Sequence, residues 1–79
     1  MDRNEIKETV LNELRRIAPE AEGELKSDRP LREQVDLDSM DWLNFLVALH
    51  ERLKVEIPES DYARLGTLDQ TVDYLAAKL

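Results

Sequence analysis

The sequence predicts an all-α fold, a four-helix bundle with a long first loop and a short third helix. Three observations predict it. Apolar residues recur at steps of three and four in separate stretches, which is the spacing of one helix face. Those stretches open on Asp2, Asp38 and Thr67, side chains that cap helix N-termini. Prolines and glycines at Pro19, Gly23, Pro30, Pro58 and Gly66 punctuate the spaces between them.

The first helix is expected from Asp2 to Ala18, where Ile6, Val10, Leu14 and Ile17 draw one stripe. Asp2 with Glu5 three residues on has the form of a capping box, and Pro19 cannot continue the helix. Arg15 and Arg16 close it, where cations favour the helix dipole. Glu20 to Asp38 then reads as a long loop, possessing at most one short turn and pinned to the core by Leu25, Leu31, Val35 and Leu37. Such a connection is longer than bundles need, and loops of that length are often functional.

The second helix is expected from about Ser39 to Leu53, with Asp38 as N-cap and Asp41 adding favourable charge to the first turn. Lys54 to Ile57 forms an exit loop. Pro58 followed by acids suits the start of a short third helix, Glu59 to Leu65, ended by Gly66. Thr67 and Gln70 form a second capping box, opening a fourth helix striped by Leu68, Val72, Leu75 and Leu79.

Seventy-nine residues are read as one domain, 1–79, with no internal repeat and no low-complexity tract. A chain of this size buries only about 60% of its unfolded surface, so few residues remain to build a cleft, and an enzyme is not expected. The composition is 42% hydrophobic and 37% charged, apolar enough to fold, with a net charge of -7. That sign argues against nucleic acid and anionic membranes, which need a basic footprint, and favours a basic protein partner. There is no cysteine, so packing alone holds the fold. No stretch has the apolar length of a signal peptide core or a membrane span, and a cytoplasmic monomer without membrane insertion is the expectation.

The stretch DLDSMDWLNFLVALHERL, from Asp36 to Leu53, concentrates the functional signal. At roughly 100° per residue, Trp42, Phe45, Leu46, Leu49 and Leu53 share one arc that can face a small core. Met40, Leu43 and Val47 fall on a flank beside Asn44 and Glu51, so the apolar surface exceeds what one core contact needs. Ser39 opens the helix among Asp36, Asp38 and Asp41, and four roles compete for it. As a nucleophile it lacks a base, because His50, the single histidine, lies eleven residues along the same helix, about 16 Å away. As a helix-start residue it is ordinary. As a phosphosite it would meet repulsion from the three aspartates. As an attachment point for a group installed by another enzyme it needs no local base, and the absence of Lys and Arg from Glu33 to Glu51 would mark the site for basic enzymes.

His50 has Leu46, Val47, Leu53 and Lys54 at three and four residues either side, which is no metal-ligand set, so a partly solvated surface histidine is expected. Trp42 and Phe45 at helical spacing are read as core. An unmodified helical adaptor that grips a partner protein through the Met40/Leu43/Val47 flank is the alternative of a different class.

The run Asp38-Ser39-Met40-Asp41, a helix ending LHERL, then EIPE and a closing TLDQTVDYL, resembles the acyl carrier proteins, also called phosphopantetheine-binding carrier domains. The likeness runs from about Leu31 to Leu75, and the first helix fits as well. It implies a single acyl-carrier-like domain that is not an enzyme and whose cofactor, 4'-phosphopantetheine, is attached covalently to Ser39 by a phosphopantetheinyl transferase. It further implies that the arm carries an acyl group as a thioester between acyl-transferring or acyl-modifying enzymes with basic docking surfaces. Asp38 and Met40 match the residues flanking the attachment serine. Asp41, Leu43, Asn44, Val47 and Glu51 match positions that meet the transferase and partners. Phe45, Leu46, Leu49, Leu53 and Ile57 match core positions, some lining the cavity where family members shelter an acyl chain.

Departures from the pattern are Asp36 in place of a glycine, Asn44 and His50 in place of acids, and the bulky Trp42. They imply a less negative docking face and a specialised, stand-alone carrier. Carriers of fatty-acyl, polyketide, aminoacyl and D-alanyl groups share this pattern.

Overall fold

The computed structural model describes residues 1–23 and 25–79, with Glu20 and Glu22 described in backbone only. Helix α1 spans Arg3–Ile17. Its Asp2 carboxylate accepts the Glu5 backbone N–H at 2.9 Å, so the aspartate half of the expected capping box is present. Ile6, Val10 and Leu14 are buried, and Leu11 widens the stripe beyond the sequence expectation. Ile17, expected in the stripe, is only half-buried, because the chain turns away at Ala18. Pro19 does more than stop the helix. It opens a 3-10 turn, Pro19–Glu22, where a missing N–H costs nothing.

The expected loop from Glu20 to Asp38 is more ordered than scattered anchors suggested; its position Glu24 lies outside the described residues. A short helix α2, Leu31–Gln34, forms within it. The reason is a set of backbone bonds between distant segments: Leu31 N–H donates to the Gly66 carbonyl at 2.8 Å, and Asp69 N–H donates to the Ser27 carbonyl at 3.0 Å. Pro30 and Thr67 form an isolated antiparallel bridge beside them. The Gln34 amide completes the stitching, accepting from Lys26 N–H at 2.6 Å and donating to the Lys26 and Arg29 carbonyls. Leu31, Val35 and Leu37 are buried as expected, and Leu25 packs against the core part-exposed.

Helix α3 spans Ser39–Leu53 with Asp38 as N-cap, its carboxylate accepting the Asp41 N–H at 2.7 Å. It ends where Lys54 turns left-handed at φ 55°, a conformation costing a non-glycine residue about 1 to 2 kcal/mol. His50 Nδ1 lies 2.7 Å from the Val55 carbonyl and donates to it, holding the strained exit in place.

The short third helix is found at Glu59–Leu65 but is a 3-10 helix. Gly66, which follows it, has ordinary right-handed angles (φ -72°), so no left-handed glycine cap is needed. Helix α4 spans Leu68–Lys78, and both bonds of the Thr67/Gln70 capping box are made. Leu68, Val72 and Leu75 are buried with Thr71 and Tyr74. Leu79, expected at the end of that stripe, is 50% exposed because it lies past the last helical turn. The Thr71 hydroxyl is satisfied by the Leu65 and Thr67 carbonyls, which offsets the cost of its full burial. Helix α1 packs against both α3 and α4, and the 3-10 helix Glu59–Leu65 packs chiefly on α4. The described residues form an all-α bundle around one shared core.

Candidate functional site

Ser39 is the first residue of α3 and is exposed. Asp38 caps the helix, so the serine is not needed as a cap, and among the described residues no hydrogen bond engages its hydroxyl. The fifteen-residue helix directs its positive end at this position. Asp36 and Asp38 are exposed and Asp41 is half-buried, so the hydroxyl sits in a patch of negative charge. No base serves it. His50 sits near the far end of the same helix, with Nδ1 committed to the Val55 carbonyl.

One flank of α3 gathers the remaining candidates. Met40, Leu43 and Val47 are 65%, 42% and 41% exposed, and Asn44 and Glu51 are exposed beside them. The opposite arc is core: Phe45, Leu46 and Leu49 are at most 1% exposed. Leu53 and Ile57 are half-buried and pack against that core from its edge. Trp42 does the same, its ring tilted 38° against Phe45 with centroids 5.3 Å apart. None of these six core-side residues lines any of three of the best-formed surface grooves among the described residues. One such groove lies between α1 and α3, along Glu13, Arg16, Ile17, Asn44, Ala48, Glu51 and Arg52.

The structure also reveals groups that sequence reasoning passed over. Glu13 is buried, with the exposed Arg16 guanidinium 3.1 Å from its carboxylate, so Arg16 pairs with a side chain as well as serving the dipole. The spacing of three was a visible signal for that pair. Arg15 donates to the Ala21 carbonyl at 3.4 Å. Tyr74 donates to Asp61 at 2.6 Å across thirteen residues of sequence, a contact with no sequence signal. His50 is exposed as expected, yet it has the structural partner described above, which an imidazole in a last helical turn can reach. Among the described residues no group of three or more His, Cys, Asp or Glu could hold a metal ion.

The family described as phosphopantetheine attachment site matches residues 8–75, a span that contains Ser39 and all of α3. The chain is 32% identical to an acyl carrier protein of Campylobacter fetus over 72 residues, 91% of this chain and 88% of that protein. It belongs to the acyl carrier protein family. A second such protein, of Wolinella succinogenes, is 31% identical over 72 residues, 91% of this chain and 90% of the relative. The mitochondrial acyl carrier protein of Saccharomyces cerevisiae is 35% identical over 57 residues, 72% of this chain and 46% of that protein. Members of the family are carriers and not enzymes, and the group they attach is phosphopantetheine. No helix among the described residues is long and apolar enough to cross a membrane.

Proposed function

We propose that Ser39 is the residue on which a separate phosphopantetheinyl transferase places 4'-phosphopantetheine, and that this acyl carrier protein relative ferries an acyl group between partner enzymes. The observation that carries the reading is the state of the hydroxyl: exposed, without a hydrogen bond among the described residues, and set on the first turn of a capped helix. A visiting enzyme that brings its own base and metal needs nothing more from the chain. The residues fit the group. Its phosphodiester would sit at the positive end of α3, which offsets repulsion from Asp36, Asp38 and Asp41. When bound, the arm supplies a terminal thiol that holds the acyl group as a thioester.

Under this proposal residues 1–79 act as one carrier domain. Asp38, Met40, Asp41, Leu43, Asn44, Val47 and Glu51 form the face met by the transferase and by basic acyl-handling partners, with exposed apolar side chains set inside a charged rim. Phe45, Leu46, Leu49, Leu53 and Ile57 form the apolar interior available to a carried chain.

Incubating the protein with a broad-specificity transferase and coenzyme A tests the reading by intact mass. The expected result is a gain of one phosphopantetheine in the wild-type protein and none in Ser39→Ala. An unchanged wild-type mass under conditions that modify a control carrier would favour an unmodified adaptor using the same flank.

A further inference from the structure

His50 has one ring nitrogen at work and one at rest. Nδ1 lies 2.7 Å from the Val55 carbonyl, and because a carbonyl oxygen only accepts, that nitrogen carries the hydrogen. In the neutral ring Nε2 is then the bare nitrogen, an acceptor whose identity the cap has fixed. Among the described residues no hydrogen bond engages Nε2, and the side chain is exposed. The helix exit thus holds an imidazole lone pair at a set position on α3.

That position lines up with Ser39. The two residues stand eleven apart on α3, and eleven steps of about 100° make three turns plus roughly 20°, so both side chains leave the helix near one line. Along the axis they are about 16 Å apart at 1.5 Å per residue. The line follows the border between the buried Leu46 and the exposed Leu43 and Val47, so its open side is apolar. A phosphopantetheine arm has about fourteen bonds from the serine oxygen to its sulfur, and an extended chain advances roughly 3.6 Å for every three, a reach of about 17 Å. The reach of the arm matches the spacing of the two residues.

We propose that Nε2 of His50 is the seat of the arm's terminal thiol, accepting the S–H hydrogen bond while the arm rests against Leu43 and Val47. The seat rests on the reading of Ser39 as the tether, and it gives the far end of the arm a partner on this chain. A carboxylate at this position would accept the same bond but repel the thiolate. An imidazole serves both forms, accepting from S–H when neutral and donating to the sulfur anion when charged. The exposed neighbours Glu51, Arg52, Lys54 and Glu56 carry no net charge together, so they do not cancel that preference. His50 therefore raises the thiolate share, and with it the reactivity of the sulfur.

The full chain and its His50→Asn variant, each treated with transferase and coenzyme A, test this, with intact mass first establishing that the arm is attached. Asparagine keeps a donor where Nδ1 stood, so the bond to Val55 survives, while nothing replaces Nε2. The chain has no cysteine, so the arm sulfur is the only thiol. In the wild type, proton cross-relaxation is expected between the cysteamine methylenes of the arm and His50 Hε1, and between the arm and the Leu43 methyls. With iodoacetamide at neutral pH, the wild-type thiol is expected to react about twofold to tenfold faster than that of His50→Asn, and the difference should vanish when both are unfolded in urea. If the variant fails to fold, cross-relaxation in the wild type decides alone. Equal alkylation rates in the folded proteins, or cysteamine protons that relax against other residues and not His50, would overturn the seat. A wild-type protein that gains no mass would overturn the carrier reading itself, and the seat with it.

Discussion

Two faces of α3, built from the same fifteen residues, have opposite fates. Phe45, Leu46 and Leu49 are at most 1% exposed, while Met40, Leu43 and Val47 remain 41% to 65% exposed. Burying each side chain of the first set contributes about 1.5 to 3 kcal/mol, whereas the second set contributes little of that kind. Hydrophobicity therefore says that both faces avoid water, but only position around the helix says which one the chain itself covers. The uncovered face begins one residue after the exposed Ser39, so the apolar flank and the free hydroxyl form one surface. One arc of the helix holds the fold, and the other is left uncovered by the described residues.

That contrast can be broken by substitution. Leu46→Ala or Leu49→Ala is expected to lower unfolding free energy by about 2 to 5 kcal/mol in chemical denaturation, a large share of what a chain this small has. Val47→Ala matching that loss would erase the distinction between the faces. A smaller effect, about 1 kcal/mol, is expected for Asp38→Ala, which removes the acceptor of the Asp41 N–H.

Leu43→Ser and Val47→Ser should change stability by less than about 0.5 kcal/mol. Asp41→Lys and Glu51→Lys should do the same, yet slow transferase modification in a manner that high salt abolishes. Equal modification rates at low salt would show that charge on this flank does not steer the encounter. Ser39→Ala should have the smallest structural effect of all, a denaturation curve overlaying that of the wild type, since among the described residues its hydroxyl bonds nothing.

The helices were legible because their signals are local. The α3 boundaries followed from Asp38 and the apolar period, and the α4 start from Thr67 and Gln70. The face assignment of α3 was legible for the same reason, since angular position depends on spacing alone. What escaped the sequence depends on meetings between distant segments. Helix α2 is fixed by the Leu31–Gly66 and Ser27–Asp69 backbone bonds, and no residue type announces a backbone bond between segments so far apart in the chain. The Tyr74–Asp61 tie is of the same kind. The choice of 3-10 over α at Glu59–Leu65 has no composition signal either, because Pro58 and the following acids suit the start of both. At the site, Ser39 as a candidate and Asp38 as the cap were both visible in the sequence, while the lack of a hydrogen bond to the Ser39 hydroxyl among the described residues depends on where every neighbouring group falls.

The most direct measurement is fragment mass spectrometry of the protein isolated from its own cells. The peptide that contains Ser39 is predicted to carry phosphopantetheine, alone or with its acyl group, and every other serine and threonine peptide to be bare. An arm located on any other residue, or a Ser39 peptide found unmodified in cells whose other carriers are loaded, would contradict the account.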